Sequence, residues 1–140
     1  MIVVDASVVV KWFIPENDSD KATALLRSGK KLVAPEIIRI EVAAAFTRLY
    51  RTGHLDKPTV ATQLEKWRRA IAKQTVSLEP TRDDFDVAAD LSIQLQHQLQ
   101  DCLYVAAADR LGVPLVTADA KLLKKSKEIS CSLQSRNCQN

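Results

Sequence analysis

The sequence predicts a three-layer α/β/α sandwich, in which helices cover both faces of a central parallel sheet. Short apolar runs rich in valine, isoleucine and leucine alternate with longer segments whose apolar residues recur at helical spacing. This alternation is typical of α/β folds with parallel strands. The runs are apolar throughout, as expected of strands buried on both faces. With 140 residues, of which 46% are hydrophobic, the chain is long enough for one domain with its own core.

In the first half of the chain, breaker residues and helical spacing define two strands and four helices. Pro15 stops the first helix. Asp18 or Ser19 can cap the second helix, and Gly29 is placed to end it. Pro58 opens the fourth helix at a position where helices tolerate proline. The predicted strands are Ile2–Val4 and residues 32–34, and the predicted helices are residues 8–14, 19–29, 36–51 and 58–71.

The second half is predicted to contain three strands and three helices. Apolar residues at positions 88, 91, 95 and 99 support one helix, and Gly112 closes the next. The predicted strands are residues 75–78, 114–117 and 129–133, the last at an edge of the sheet, and the predicted helices are residues 83–99, 101–111 and 119–125. Because no repeat or linker divides the chain, residues 1–133 are expected to form one domain and residues 134–140 a polar tail.

The bulk properties favour a cytoplasmic protein that has no membrane segment. The apolar N-terminal stretch is interrupted by Asp5 and Lys11, so it matches neither a signal peptide nor a membrane span. Three cysteines without a CxxC pair indicate reduced thiols rather than a disulfide framework or a zinc site. The net charge of +3 is compatible with a polyanionic partner.

Four acidic residues are predicted to meet at one edge of the sheet. Asp5 ends the first strand, and Asp119 follows the strand at residues 114–117. Parallel sheets bind ligands at the carboxyl ends of their strands, which places both residues at that edge. Asp101 begins a helix whose start lies on the same side by connectivity. Glu41 flanks the apolar stripe of its helix, at the boundary of the core.

Each acid taken alone has an ordinary structural explanation. An aspartate at a helix start is usually a cap, and one after a strand is often a turn residue. Glu41 could pair with Arg39 or Arg48. The convergence of four acids is harder to explain in this way, because carboxylates a few ångströms apart repel each other unless a cation compensates. Hard divalent cations such as Mg²⁺ are suited to that role.

Three stretches carry a resemblance to a known family: the opening VVDASVVVKWFIPE, the helix EVAAAF and the block QDCLYVAAADRLGVPLVTADAKLL. Together they resemble PIN-domain proteins of the VapC toxin type, up to about Leu123. The resemblance implies a three-layer α/β/α domain and a Mg²⁺- or Mn²⁺-dependent endoribonuclease that leaves a 5′-phosphate and a 3′-hydroxyl. It also implies a homodimer inhibited by a small antitoxin protein. The C-terminal KKSKEISCSLQSRNCQN departs from the usual ending of the family.

The resemblance also implies roles for individual residues. The metal-site acids of the family map onto Asp5, Glu41, Asp101 and Asp119. Direct or water-mediated metal ligands are expected at Asp5, Asp101 and Asp119. Glu41 is expected to hold or deprotonate a water molecule. Ser7 and Thr117 map onto small hydroxyl residues of the family, and are expected to orient the carboxylates.

Basic and aromatic residues near the acids are weaker candidates for RNA binding. Lys11 and Lys121 are placed to follow the RNA backbone, although a solvated helix end explains either of them as well. Trp12 could stack on a base, but a tryptophan there is more often core or dimer interface. His54 and His97 have no partner in the sequence pattern and are predicted to be structural or surface residues.

Three other functions compete with a nuclease. A haloacid-dehalogenase-type enzyme requires a second aspartate two residues after the first, where this chain has Ser7. A response-regulator receiver domain requires an adjacent acidic pair and a late lysine, and neither pattern is present. A catalytically weak PIN domain that only binds RNA or protein is disfavoured by four intact acids. The RNA target, the existence of an antitoxin and the number of metal ions stay open.

Overall fold

The computed structural model describes the backbone of residues 1–16 and 19–137, and the side chains of this part of the chain up to residue 128. Strands and helices alternate along it. The strands are β1 Ile2–Val4, β2 Leu32–Pro35, β3 Ser77–Glu79 and β4 Leu115–Val116. The helices are α1 Ala6–Phe13, α2 Ser19–Leu26, α3 Ile38–Arg51, α4 Lys57–Ala72, α5 Phe85–Leu95, α6 Leu99–Leu111 and α7 Ala120–Asn137, and a 3₁₀ turn at Thr81–Asp83 precedes α5.

The four strands form one parallel sheet in the order β3-β2-β1-β4. β1 lies between β2 and β4, with Val3 opposite both Val33 and Leu115. β1 and β2 are buried along their whole length, as their unbroken apolar sequences predict. The predicted fold class, a parallel sheet flanked by helices, is therefore confirmed.

Two apolar clusters hold the helices around the sheet. The larger contains β1 and β2 with residues of α1, α3 and α4, and the ring of Phe13 meets the edges of Phe46 and Trp67 at centroid distances of 5.6 and 6.0 Å. The smaller joins α5, α6 and α7 around Leu91 and Leu122. Helix α6 contributes to both clusters and packs on β1 and β2, so its N-terminal end is held firmly relative to the sheet.

The predicted helix over residues 83–99 is wrong at both ends. A 3₁₀ turn replaces its start, and α5 ends at Leu95. Gln96 is in the left-handed region with φ of 49°, and the backbone N–H of His97 donates to the carbonyl of Ser92. This is the hydrogen-bonding pattern of a helix C-cap. The sequence conceals the break because Leu99, which belongs to α6, continues the apolar spacing of α5.

The predicted edge strand over residues 129–133 is also wrong, because α7 runs without interruption from Ala120 to Asn137. Positions 122, 126, 129 and 133 follow helical spacing, and the segment is rich in lysine and leucine, which favour helices over strands. The predicted start of a polar tail at residue 134 falls within this helix. Residues 138–140 of that tail and Asp18, a predicted cap of α2, lie outside the described residues.

Cys102 is a buried free thiol, as expected of a reduced cysteine. The side chains of Cys131 and Cys138 lie outside the described part of the chain. Within that part, no helix is both long enough and apolar enough to cross a membrane.

Candidate active site

One cavity of about 580 Å³ is lined by all four of the predicted acids, Asp5, Glu41, Asp101 and Asp119. Two of them follow neighbouring parallel strands, since Asp5 comes directly after β1 and Asp119 lies beyond β4. The other two lie in the first turns of helices, Glu41 in α3 and Asp101 in α6. The convergence that the sequence predicts is therefore present.

Asp5 is held by two hydroxyl groups. Its carboxylate is buried, and Oδ2 accepts hydrogen bonds from Ser7 Oγ at 2.6 Å and Thr117 Oγ1 at 2.9 Å. The same hydroxyls accept from the next loop, Ser7 Oγ from the Ala118 N–H and Thr117 Oγ1 from the Asp119 N–H, both at 3.0 Å. The two hydroxyls therefore connect the acid after β1 to the acid after β4.

Asp119 caps a helix, whereas Asp101 does not. Asp119 Oδ1 accepts from the backbone N–H groups of Lys121 and Leu122 at 2.9 and 3.3 Å, at the start of α7. In α6 the N-cap is Gln98, which makes no side-chain cap hydrogen bond, and Asp101 lies three positions later. The ordinary explanation of Asp101 as a helix cap is therefore wrong, and the capping role belongs to Asp119.

Glu41 is bound by a tyrosine from another helix. The hydroxyl of Tyr104, a fully buried residue of α6, donates to Glu41 Oε1 at 2.7 Å. Burial raises the pKa of Glu41, and the charges of Asp5 and Asp101 raise it further, against the opposing effect of the tyrosine hydrogen bond. Neither Arg39 nor Arg48, the nearby bases that the sequence offers as partners for Glu41, is its ion-pair partner.

Asp101 has a histidine neighbour that sequence reasoning assigns no role. His97 Nε2 is 2.9 Å from Asp101 Oδ2, although its N–H is not aligned for a hydrogen bond. Burial raises the pKa of Asp101, the proximity of His97 opposes that rise, and the charges of Asp5 and Asp119 add to it. The spacing of four residues between His97 and Asp101 is the one sequence signal that could have identified this pair.

Each of the four carboxylates has one oxygen in a hydrogen bond or ion pair, and a second oxygen with neither interaction among the described residues. The contacted oxygens are Asp5 Oδ2, Glu41 Oε1, Asp101 Oδ2 and Asp119 Oδ1. One contact per carboxylate restrains its orientation, and the second oxygen is left for a ligand.

Of the basic residues near this site, some line the acid cavity and others do not. Lys11 lines the acid cavity and pairs with Glu16 at 3.3 Å. Lys121 lies in the first turn of α7 and is not among the residues that line this cavity. Two arginines that the sequence does not predict as site residues, Arg48 and Arg51, do line it. Their spacing of seven and ten residues from Glu41 on α3 is the signal that could have identified them.

The donor chemistry of the cavity fits a hydrated hard cation. Across residues 1–16 and 19–128, no three His, Cys, Asp or Glu side chains are gathered closely enough to form a metal cage. Carboxylates that raise each other's pKa repel, so in the absence of a cation they are not drawn into a cage. Mg²⁺ keeps several of its waters and needs only one or two direct carboxylates. These acids can supply such a site.

Comparison with known proteins identifies the family and agrees with the fold. The family model described as PIN domain matches residues 2–128. The chain is 29% identical over 126 residues to ribonuclease VapC3 of Pyrobaculum aerophilum, covering 89% of this chain and 93% of that protein. It is 29% identical over 122 residues to ribonuclease VapC9 of Mycobacterium tuberculosis, covering 87% of this chain and 88% of that protein.

Two solved structures share the fold. VapC20 of Mycobacterium tuberculosis, described as a toxin that cleaves the sarcin–ricin loop, superposes with a TM-score of 0.67 at 16% identity, covering 89% of this chain and 95% of that one. FitAcB from Neisseria gonorrhoeae superposes with a TM-score of 0.67 at 14% identity, covering 91% and 94%. Because the family model matches nearly the whole of this chain, the chain belongs to the PIN domain family.

Proposed function

We propose that this chain is a divalent-metal-dependent endoribonuclease and the toxin of a toxin–antitoxin pair. The observation that carries the proposal is the convergence of four carboxylates on one cavity: Asp5, Glu41, Asp101 and Asp119. The names of its relatives support RNA as the substrate, since two are ribonucleases and VapC20 is described as a toxin that cleaves the sarcin–ricin loop. The cation is Mg²⁺ or Mn²⁺, and Asp5, Asp101 and Asp119 bind it directly or through water.

The protein's contribution is a set of oriented acids. Ser7 and Thr117 fix Asp5 through its Oδ2, and the start of α7 fixes Asp119 through its Oδ1. Because these hydrogen bonds are present before substrate binds, the carboxylates need little reorganisation during the reaction. Ser7 and Thr117 thus act as positioning residues for the acids.

A divalent cation, when bound, would neutralise phosphate charge and lower the pKa of a water molecule. Glu41 is placed to accept a proton from the attacking water at Oε2, while Tyr104 holds Oε1. Its raised pKa makes it a stronger base than an ordinary glutamate. The water oxygen would then bond to phosphorus as the bond from phosphorus to the 3′ oxygen breaks. The leaving 3′ oxygen would take up a proton from solvent, so that the products carry a 5′-phosphate and a 3′-hydroxyl.

Cleavage of a structured RNA by the purified protein tests this proposal. We expect cleavage with Mg²⁺ or Mn²⁺, none with EDTA, and none by Asp101→Asn. The matched control is Asp109→Asn, which changes an exposed aspartate near the C-terminal end of the same helix and should cleave normally. Cleavage that persists in EDTA would falsify the metal mechanism, and equal activity of the two variants would reject the acid site.

We also propose that the active protein is a homodimer inhibited by a small antitoxin. An acid-lined cavity favours an arginine side chain, because guanidinium forms bidentate, charge-assisted hydrogen bonds with carboxylates. Expression of the chain alone should slow growth, and co-expression of the neighbouring gene should restore it. Normal growth with abundant folded protein would reject the toxin role and leave the nuclease activity standing.

A further inference from the structure

Two arginines line the acid cavity without neutralising its acids. Arg48 and Arg51 follow Glu41 on α3 by seven and ten residues, which places all three on one side of the helix. Both side chains are exposed. Among the described residues, neither guanidinium forms an ion pair or a side-chain hydrogen bond, although the cavity also contains the carboxylate of Glu16.

Two neighbouring polar groups already have partners. Tyr104 binds Glu41, and Lys11 pairs with Glu16. The arginines therefore present two positive charges to the cavity at positions where no acid of the described chain is paired with them.

A third arginine of α3 gives a useful contrast. Arg39 lies nine residues before Arg48, which is about 180° around the helix. It lines a different cavity together with Trp67 and Arg68, between α3 and α4. The positive charge beside the acids is therefore specific to the face of α3 that carries Glu41.

We propose that Arg48 and Arg51 bind the phosphates of the RNA strand next to the scissile phosphate. The inference rests on the proposed function for the identity of the ligand. A helix rises about 1.5 Å per residue, so the two residues lie about 10 and 15 Å beyond Glu41 along α3. At that distance they serve the next phosphates of the strand rather than the one under attack. Guanidinium binds phosphate oxygens in a bidentate manner, which favours arginine in this role.

This placement also gives the substrate a path. A strand that crosses the acids would continue along the C-terminal half of α3, past Arg48 and Arg51. Negative charge is then concentrated at the reaction centre, and positive charge lies beside it on α3. Cations arranged in this way attract the backbone without competing with a metal ion for the carboxylates.

Salt-dependent RNA binding tests the proposal without requiring cleavage. The full chain carrying Asp101→Asn is titrated with a labelled single-stranded oligouridine over a range of salt concentrations. Adding Arg48→Gln and Arg51→Gln should lower the affinity by roughly tenfold and reduce the magnitude of the salt slope by about 1.4, which corresponds to two phosphate contacts. The matched control, Arg39→Gln with Arg68→Gln, removes the same charge from the neighbouring cavity and should leave the slope unchanged.

Each result decides for or against the site. The proposal would be overturned if the Arg48/Arg51 variant bound RNA as tightly as the Asp101→Asn parent. It would also be overturned if the Arg39/Arg68 control lost as much RNA affinity as the Arg48/Arg51 variant. Replacement of both arginines by lysine should retain most of the salt dependence of RNA binding. The number of positive charges at the phosphates sets this dependence, and the bidentate hydrogen bonds of the guanidinium do not. If the double variant does not fold, Arg51→Gln alone should reduce the slope by about 0.7, and an unchanged slope would count against the site.

Cleavage by the wild-type protein, assayed in parallel, separates this proposal from the proposed function. If the wild type does not cut RNA with any divalent cation but the slope changes as expected, the nuclease proposal fails and the phosphate-binding site stands. If the wild type cleaves, the Arg48/Arg51 variant should show a raised KM with a nearly unchanged kcat, as expected from loss of binding away from the reacting atoms. A lowered kcat with unchanged KM would contradict the assignment.

Discussion

The hydroxyl of Tyr104 donates a 2.7 Å hydrogen bond to Oε1 of Glu41, joining residues that are 63 positions apart in the chain. The tyrosine is fully buried, so a rigid part of the core holds the acid. Glu41 lies on α3 and Tyr104 on α6. The relative position of these two helices thus determines where a candidate proton acceptor points.

Tyr104→Phe should lower kcat by about tenfold or more and leave KM nearly unchanged, because the acid loses its orientation but the ring still fills the core. The hydrogen bond lowers the pKa of Glu41, so its loss raises that pKa and moves the acidic limb of the pH–rate profile to higher pH. Tyr50→Phe on α3 is the control, since Tyr50 is partly exposed. An unchanged pH profile for Tyr104→Phe would exclude the positioning role.

The raised pKa of Glu41 makes stability in EDTA depend on pH. Because the folded protein binds this proton more tightly than the unfolded chain, ionised Glu41 destabilises the fold at neutral pH. The cost disappears as pH falls through the raised pKa toward the ordinary value of 4.5. Glu41→Gln should therefore melt at a higher temperature than the wild type at neutral pH, and the difference should shrink on acidification. A difference independent of pH would contradict this prediction.

Variants of Asp101 and Asp119 should show which of the two acids serves catalysis alone and which also stabilises a helix. Both Asp101→Asn and Asp119→Ala should abolish cleavage. In EDTA, Asp101→Asn should melt at or above the wild-type temperature, because it removes a repelled charge and no cap. Asp119→Ala should lose about 1 kcal/mol, because it removes the cap of α7. Thermal melts with and without Mg²⁺ measure both effects, and Asp101→Asn should also show a smaller shift with metal.

An ion pair between a buried acid and a partly exposed arginine, away from the cavity, should contribute to stability alone. Asp84 is 3% exposed and receives two hydrogen bonds from Arg110, at 2.7 and 3.1 Å. Arg110→Met leaves this carboxylate buried without a cation, which should cost on the order of 1–2 kcal/mol, less than for a fully buried pair because the guanidinium is partly exposed. Urea denaturation measures the loss. Metal binding by the folded variant should be unchanged, and a weaker metal-induced melting shift at saturating Mg²⁺ would show that the pair also supports the site.

The sequence was informative wherever the signal is local. Apolar runs located the strands, helical spacing located most helices, and the position of Asp5 and Asp119 after two strands predicted their convergence. That prediction works because the carboxyl ends of parallel strands share one edge of a sheet. Local signals were misleading where two patterns overlapped, as at Gln96, where apolar spacing continues through a helix end, and in α7, where a β-branched residue lies within a helical pattern.

The partners of the acids were decided only by the tertiary structure. The sequence offers Arg48 as a nearby base for Glu41, but packing of α6 against the sheet brings Tyr104 to the acid instead, and Arg48 lines the cavity. The capping role of Asp119, by contrast, is local, because its carboxylate accepts from backbone N–H groups two and three residues further along the chain. A sequence determines which face of a helix a side chain occupies, because that depends on neighbours a few residues away. Which group completes its hydrogen bond depends on how distant elements pack, and that geometry exists only in the folded chain.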